Sequence, residues 1–224
     1  MIEDLHRALS NLEDTRNLIT RYRGELVNLV QWDKDTDIRF KILSQLDQCL
    51  MTHNITLSIT ATELMDLRWI KKKLSVTEND TASTILDNYV VNNKNGLIYS
   101  VSSVTERYIR VLSNFLIGSA KIEDYRQVRL KVFNSLDISI ESDGWKALAI
   151  LSNIRNTIHN NGMHIDPKNP ILRIVYRNQL HIFEHENLHS SATYDNLNHI
   201  ILDILLLIKT INAKLQILSA STIE

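Results

Sequence analysis

The stretch LHRALSNLEDTRNLITRYRGELVNL, residues 5–29, decides the fold class. Leu5, Ala8, Leu12, Thr15, Ile19, Tyr22, Leu26 and Leu29 recur in alternating steps of three and four. That spacing belongs to a helix that lays one stripe against its neighbours. Charged residues fill the other faces. A helix of about 28 residues reaches roughly 42 Å at 1.5 Å per residue, a length suited to a bundle. The totals agree. The chain has 224 residues, 44% of them hydrophobic, with five Gly and two Pro. Sheet-rich folds need many tight turns and carry more of both.

Outward from this segment the helical pattern continues. WDKDTD breaks it, and Asp35, Thr36 or Asp37 can cap the next helix. A second helical region is expected over about 38–73, broken near THNIT and ending on Lys71, Lys72 and Lys73, which suit a helix C-terminus. SVTEND reads as a loop. Helices follow over about 81–92 and 97–117, separated by NNKNG, and over about 121–135. ESDGWKALAILSNIRNTIHNNG is a helix capped by Ser142 or Asp143 and stopped at Gly162. PILRIVYRNQLHIFE is rich in β-branched and aromatic residues, and Arg177-Asn178-Gln179 supplies a polar turn. It predicts a β-hairpin over about 171–184. The chain returns to helix over about 194–218, apolar on most sides, as befits a bundle centre or a subunit interface. The expected architecture is all-α: one helical domain over 1–224 with a small hairpin inserted before the C-terminal helix.

A formal net charge of −1 removes any argument from global charge for nucleic-acid binding and leaves only local patches. The single Cys49 forms no internal disulfide, which fits a reducing cytosol. The first ten residues lack the basic-then-apolar pattern of a signal peptide. The most apolar run, 199–211, is too short for a bilayer and contains Asp203. A cytoplasmic protein without membrane contact is expected.

LSNIRNTIHNNGMH, residues 151–164, carries the functional signal. At about 100° per residue, Ala147, Ile150, Leu151, Ile154 and Ile158 share a core face. Arg155 and His159 lie four apart on one shoulder of that face, one turn from each other, with Asn156 beside them. Asn160, Asn161 and Gly162 turn the chain, and His164 follows. Arginine grips a phosphate through two parallel hydrogen bonds, and histidine moves a proton near neutrality. Attack of an RNA 2′-hydroxyl on its own phosphate needs a base, an acid and a stabiliser for the phosphate, but no metal. One Arg–His pair supplies the stabiliser and one proton carrier; a twofold dimer supplies the other carrier.

Arg155-Asn156 followed by His159 resembles the signature of the HEPN superfamily, α-helical domains of which many are metal-independent ribonucleases in toxin–antitoxin, abortive-infection and CRISPR systems. The family pattern usually has four to six residues between Arg and His. Here three intervene before His159 and eight before His164. The resemblance covers about 20 residues. It implies RNA as the partner, a homodimer, an antitoxin or other protein partner, and no cofactor or metal. It implies Arg155, His159 and Asn156 as catalytic residues; RNA contacts are expected from Asn160 and His164 beside them and, from basic spacing rather than the resemblance, from Arg126 and Arg129. The last two stand three apart in RQVRLK, as Arg107 and Arg110 do on the preceding helix. If these helices pack beside the Arg155 helix, they form a positive groove for single-stranded RNA. The competing expectation is a non-catalytic helical protein–protein interaction module, working through the apolar C-terminal helix.

HIFEH, residues 181–185, spells the H-x-x-E-H zinc-peptidase pattern. That chemistry needs a helix and a distal glutamate. This segment reads as strand, and of the acids after it, Glu186, Asp195, Asp203 and Glu224, none suits the distal part. Cys49 sits among apolar neighbours, as a core thiol does.

Overall fold

Seven α-helices and one hairpin follow one another in a computed structural model that describes residues 2–29, 32–118, 124–218 and 223. They are α1 (Ile2–Leu29), α2 (Ile38–Ile59), α3 (Leu67–Leu74), α4 (Asn79–Ile117), α5 (Tyr125–Ser135), α6 (Asp143–Ile158), β1 (Ile171–Tyr176), β2 (Gln179–Glu184) and α7 (Tyr194–Leu218). The chain is therefore all-α with a small hairpin before the last helix, as its hydrophobic periodicity predicts.

The α1 stripe is buried along its length: Leu5, Ala8, Leu12, Thr15, Ile19, Tyr22 and Leu26 all face inward. The Leu29 side chain lies outside the described residues, as do residues 121–123 of the helix expected over 121–135. α1 packs on α2 and α7, α2 on α4, α4 on α5 and α6, and α6 on α7. One hydrophobic cluster joins these helices to Tyr176 and Phe183 of the hairpin. A second, small cluster of Leu64, Ile70, Ala82 and Leu86 sits under α3.

Two expectations about breaks are corrected. α2 runs through THNIT without interruption. It ends instead in a π-helical segment, Thr60–Leu64, after which Asp66 caps α3. α4 is one helix of 39 residues rather than two separated by NNKNG, about 58 Å long. A single glycine costs a helix only about 1 kcal/mol. Burial of Ala82 and Leu86 before that point, and of Leu97, Ile98 and Val101 after it, outweighs Gly96.

The capping residues follow from side-chain chemistry. Asp37, Asp66 and Asp124 each accept the backbone N–H two residues ahead, and the Ser142 hydroxyl accepts that of Trp145. Asp37 does more. It is fully buried against Arg39, whose Nη2 donates to Asp37 Oδ2 at 2.6 Å, and the guanidinium lies 3.3 Å from the centroid of the Trp32 ring. The same carboxylate accepts the backbone N–H of Ile223 at 3.1 Å, and the Ile38 N–H donates to the Ile223 carbonyl at 2.8 Å. Ile223 is thereby fastened to the start of α2.

The hairpin is antiparallel with Ile171 opposite Glu184 and Tyr176 opposite Gln179. Arg177 and Asn178 form its turn with φ of 47° and 62°, the left-handed pair of a type I′ turn, whose twist matches the strands. Arg177 also donates to Asp203 of α7 through Nε at 2.9 Å and Nη2 at 2.7 Å, and Tyr176 Oη donates to the same carboxylate at 2.6 Å. This accounts for the acid inside the apolar α7. Burial pushes the Asp203 carboxyl up, but the bonds from Arg177 and Tyr176 outweigh it and hold it below its ordinary value.

α6 meets α7 at Gly144, where an added Cβ would lie 2.7 Å from Leu207 Cβ. A contact that close to the backbone is relieved only by moving the helices apart. Gly144→Ala is therefore expected to destabilise the protein by about 1–3 kcal/mol, although alanine is the better helix former. Gly24→Ala and Gly96→Ala, where nothing lies within 4 Å, are expected to be neutral or to stabilise by up to ~1 kcal/mol. Urea denaturation of the three variants checks this contrast.

Candidate functional site

Ser142 starts α6, and Thr157 to Gly162 end it. The N–H groups of both Asn160 and Gly162 return to the Thr157 carbonyl, with Asn161 and Gly162 at positive φ. Ala147, Ile150, Leu151 and Ile154 are buried, which fixes the rotation of the helix. That rotation turns Arg155 and His159 toward α4. Arg155 Nη1 donates to Glu106 Oε2 at 2.8 Å, and a ring nitrogen of His159 shares a hydrogen bond with the Tyr99 hydroxyl at 2.8 Å. The two contacts run in opposite senses along the chain, so α4 and α6 are antiparallel where they meet.

Glu106 is shared. Arg110, one turn further along α4, donates to its Oε1 through Nε at 2.9 Å and Nη2 at 2.8 Å. Burial alone would raise the Glu106 carboxyl. The bonds from Arg110 and Arg155 outweigh burial and keep it below its ordinary value. Arg155 thus brings one guanidinium edge to an acid and remains one-third exposed. His159 is exposed, its ring tilted against Tyr99 at 5.4 Å between centroids.

A cleft of about 750 Å³ opens between α5, α6 and β1. Five of the seven residues selected from sequence border it: Arg126, Arg129, Arg155, Asn156 and His164. His159 and Asn160 do not line it. The cleft border carries five cationic side chains, Arg126, Arg129, Lys146, Arg155 and Arg173, against three carboxylates, Asp124, Glu141 and Asp166. Those carboxylates are engaged. Asp124 caps α5, Glu141 faces Lys146 at 3.4 Å, and Asp166 accepts from the backbone N–H of Lys168 and Asn169 and from the Asn169 amide.

The members of the cleft differ in freedom. Arg126 and Arg173 are exposed. Arg129 is 5% exposed, with its guanidinium carbon 4.9 Å from the ring centroids of both Tyr125 and Trp145. His164 is buried, paired through Nε2 with the Asn169 carbonyl at 3.2 Å and set edge-on to Phe183. It holds the loop before β1 rather than facing a solvent-borne ligand. Glu106, Tyr99, Tyr125, Trp145 and Arg173 were not selected from the sequence. The Tyr125–Arg129 step of four on one helix is a legible signal for a ring–guanidinium contact. Glu106 and Tyr99 gain meaning only from the packing of α4 on α6.

The H-x-x-E-H histidines go separate ways. His181 and His185 stand on the hairpin; His181 shares a bond with the Ser191 hydroxyl, and His185 Nδ1 accepts from the Asp166 N–H. No group of three or more His, Cys, Asp or Glu able to hold a metal occurs among the described residues. Burial raises the Cys49 thiol, away from a nucleophile's range. No described helix is long and apolar enough to cross a membrane.

His189 has its proton position fixed. The Thr157 hydroxyl donates to the Ile154 carbonyl and so accepts from His189 Nε2 at 2.8 Å, while His189 Nδ1 accepts from the Ser191 N–H. Burial first, then the charges of neighbouring His164, Lys94 and His181, lower its pKa to about 4; burial alone does the same to His53. Compared with protein-family models, curated proteins and solved structures, the chain has no match.

His53 and His189, both depressed to about 4, and His181, which burial also lowers, set a pH dependence. The unfolded chain takes up the protons of the first two near 6.5 and the folded protein only near 4, so stability is full above about 6.5 and falls as pH drops toward 4. The buried His53 contributes up to about 3 kcal/mol across that window, and the partly exposed His189 less, because solvent screens it. Urea denaturation at pH 7 and pH 4.5 is expected to show the loss, and His189→Gln to shrink it.

Proposed function

We propose that the chain is an RNA-binding protein of the HEPN type, which grips the phosphodiester backbone of a single strand in the α5–α6–β1 cleft. Arg155 and His159 are its candidate centre for metal-independent cleavage. The observation that carries this reading is the convergence of Arg126, Arg129, Arg155 and Asn156, from two helices, on one cleft whose cations outnumber its acids. Phosphate contacts supply most sequence-independent affinity for nucleic acid, and a neutral overall charge does not prevent a local groove from doing so.

In the cleavage step, the 2′-oxygen forms a bond to phosphorus while the bond to the 5′-oxygen breaks, leaving a 2′,3′-cyclic phosphate and a 5′-hydroxyl. His159 takes the 2′ proton, Arg155 stabilises the crowded phosphate with its exposed edge, and a second histidine from another copy of the chain returns a proton to the leaving oxygen. The HEPN resemblance supplies the setting: a cytoplasmic homodimer in phage defence, toxin–antitoxin pairing or stress response, with an antitoxin or other protein as partner.

A second reading has its own observation. Glu106 holds Arg155, and Tyr99 holds His159, so the pair also rivets α6 to α4. In that case the chain is a non-catalytic helical interaction module.

RNA binding and cleavage separate the two. With a labelled single-stranded RNA in excess chelator, the nuclease reading expects cleavage that Arg155→Ala and His159→Ala each reduce by roughly 10²-fold or more while the fold survives. Arg126→Ala and Arg173→Ala are expected to weaken binding and to reduce the salt slope by about 0.7 each. Glu106→Gln, which removes the acid opposite Arg155, is expected to tighten binding. RNA that binds without being cut leaves the binding role alone. Absence of binding at low salt leaves only the interaction module.

A further inference from the structure

One of the gripping residues, Arg129, has a buried side that contact at the cleft rim alone does not use. Arg129 Nε and Nη1 are both buried and without a hydrogen-bond partner, and so is the Tyr125 hydroxyl on the same helix. All of these side chains border the cleft. A guanidinium keeps its charge at any ordinary pH, even though burial lowers the pKa of Arg129. The Tyr125 and Trp145 rings attract that charge, but a ring face accepts no conventional hydrogen bond from the N–H groups. Buried charges in proteins are paired or coordinated. Here the acids nearest in effect, Asp124 and Glu106, are already engaged by the α5 cap and by Arg110 and Arg155. These donors suit an acceptor with several negatively charged oxygens.

We infer that Arg129 and Tyr125 form a built phosphate-group site at the inner wall of the cleft, with Arg126 and Arg155 at its rim. The site offers a guanidinium and a phenol as donors from side chains in ring contact, and the surrounding cations exceed what one carboxylate would neutralise, which favours a tetrahedral phosphate over a carboxylate. The aromatic walls shield the bonds from water and strengthen them. The inference rests on the cleft being a phosphate-binding surface and adds where its deepest phosphate sits. That phosphate comes either from an RNA strand or from the free ion.

Inorganic phosphate is the first probe and an oligonucleotide of single-stranded RNA, lacking terminal phosphates, the second. Thermal denaturation and the fluorescence of Trp145, identified by its loss in Trp145→Phe, are followed in the full chain. Wild type is expected to show a saturable rise in Tm and a change in Trp145 emission with phosphate. Tyr125→Phe, which removes only a hydroxyl, is expected to weaken phosphate binding several-fold with the fold intact. Arg129→Met is expected to abolish it, with no lower Tm than wild type in phosphate-free buffer, because an unpaired buried charge has been replaced by an apolar side chain of similar length.

Competition between phosphate and RNA supports the site with RNA as its source. A phosphate response with no RNA binding supports the site with free phosphate as its ligand and removes the RNA reading. A wild type indifferent to phosphate, while RNA binds equally well in wild type, Tyr125→Phe and Arg129→Met, overturns the site and leaves the RNA reading standing. A Tyr125→Phe protein that binds phosphate as tightly as wild type, beside an Arg129→Met protein that merely loses stability, also overturns it.

Discussion

The close approach of α6 to α7 at Gly144 fixes everything around it. With no Cβ there, the start of α6 lies against the Leu207 side chain, and the buried face from Ala147 to Ile154 seats the rest of the helix in the core. One face being committed, the remaining orientation is forced. Arg155 and His159 turn to α4, and Ser152, Asn153 and Asn156 turn to the cleft. The position of every candidate residue on α6 is thus set by an apolar contact near the other end of the helix.

Electrostatics then divides the arginines of the core and the cleft into three kinds. Arg39 is sealed with Asp37 and serves the fold. Arg110, Arg155 and Arg177 share carboxylates that are partly or wholly buried, and each ties one element to another or to itself. Such pairs offset a large desolvation cost and gain mainly in specificity of arrangement. Arg126, Arg129 and Arg173 face the cleft without such acids among the described residues, and these give it its positive character. Net charge near zero hides this sorting completely.

Much of the fold was legible because its determinants are local. The α1 stripe, the caps at Asp37 and Ser142, the stop at Gly162 and the hairpin turn, read over Arg177-Asn178-Gln179 and found at Arg177-Asn178 with Gln179 already in β2, each depend on a few adjacent residues. The continuity of α4 was not legible, because NNKNG reads locally as a break and only burial on both sides of it decides otherwise. At the site, the shared face of Arg155 and His159 followed from helical spacing. Their partners did not, since Glu106 and Tyr99 lie far away in the chain and meet α6 only through packing. Arg129 was visible as a basic residue but not as a buried one; its enclosure depends on Trp145 from another helix.

The fastening of Ile223 to the start of α2 makes that residue hard to dispense with. Loss of Ile223 would strip a sealed aspartate of one donor and leave the first amide of α2 with no carbonyl to meet. Whatever follows Ile223 must therefore leave that backbone seated, a demand that the solvent-facing first turn of α1, with Glu3 and Asp4 exposed, does not make.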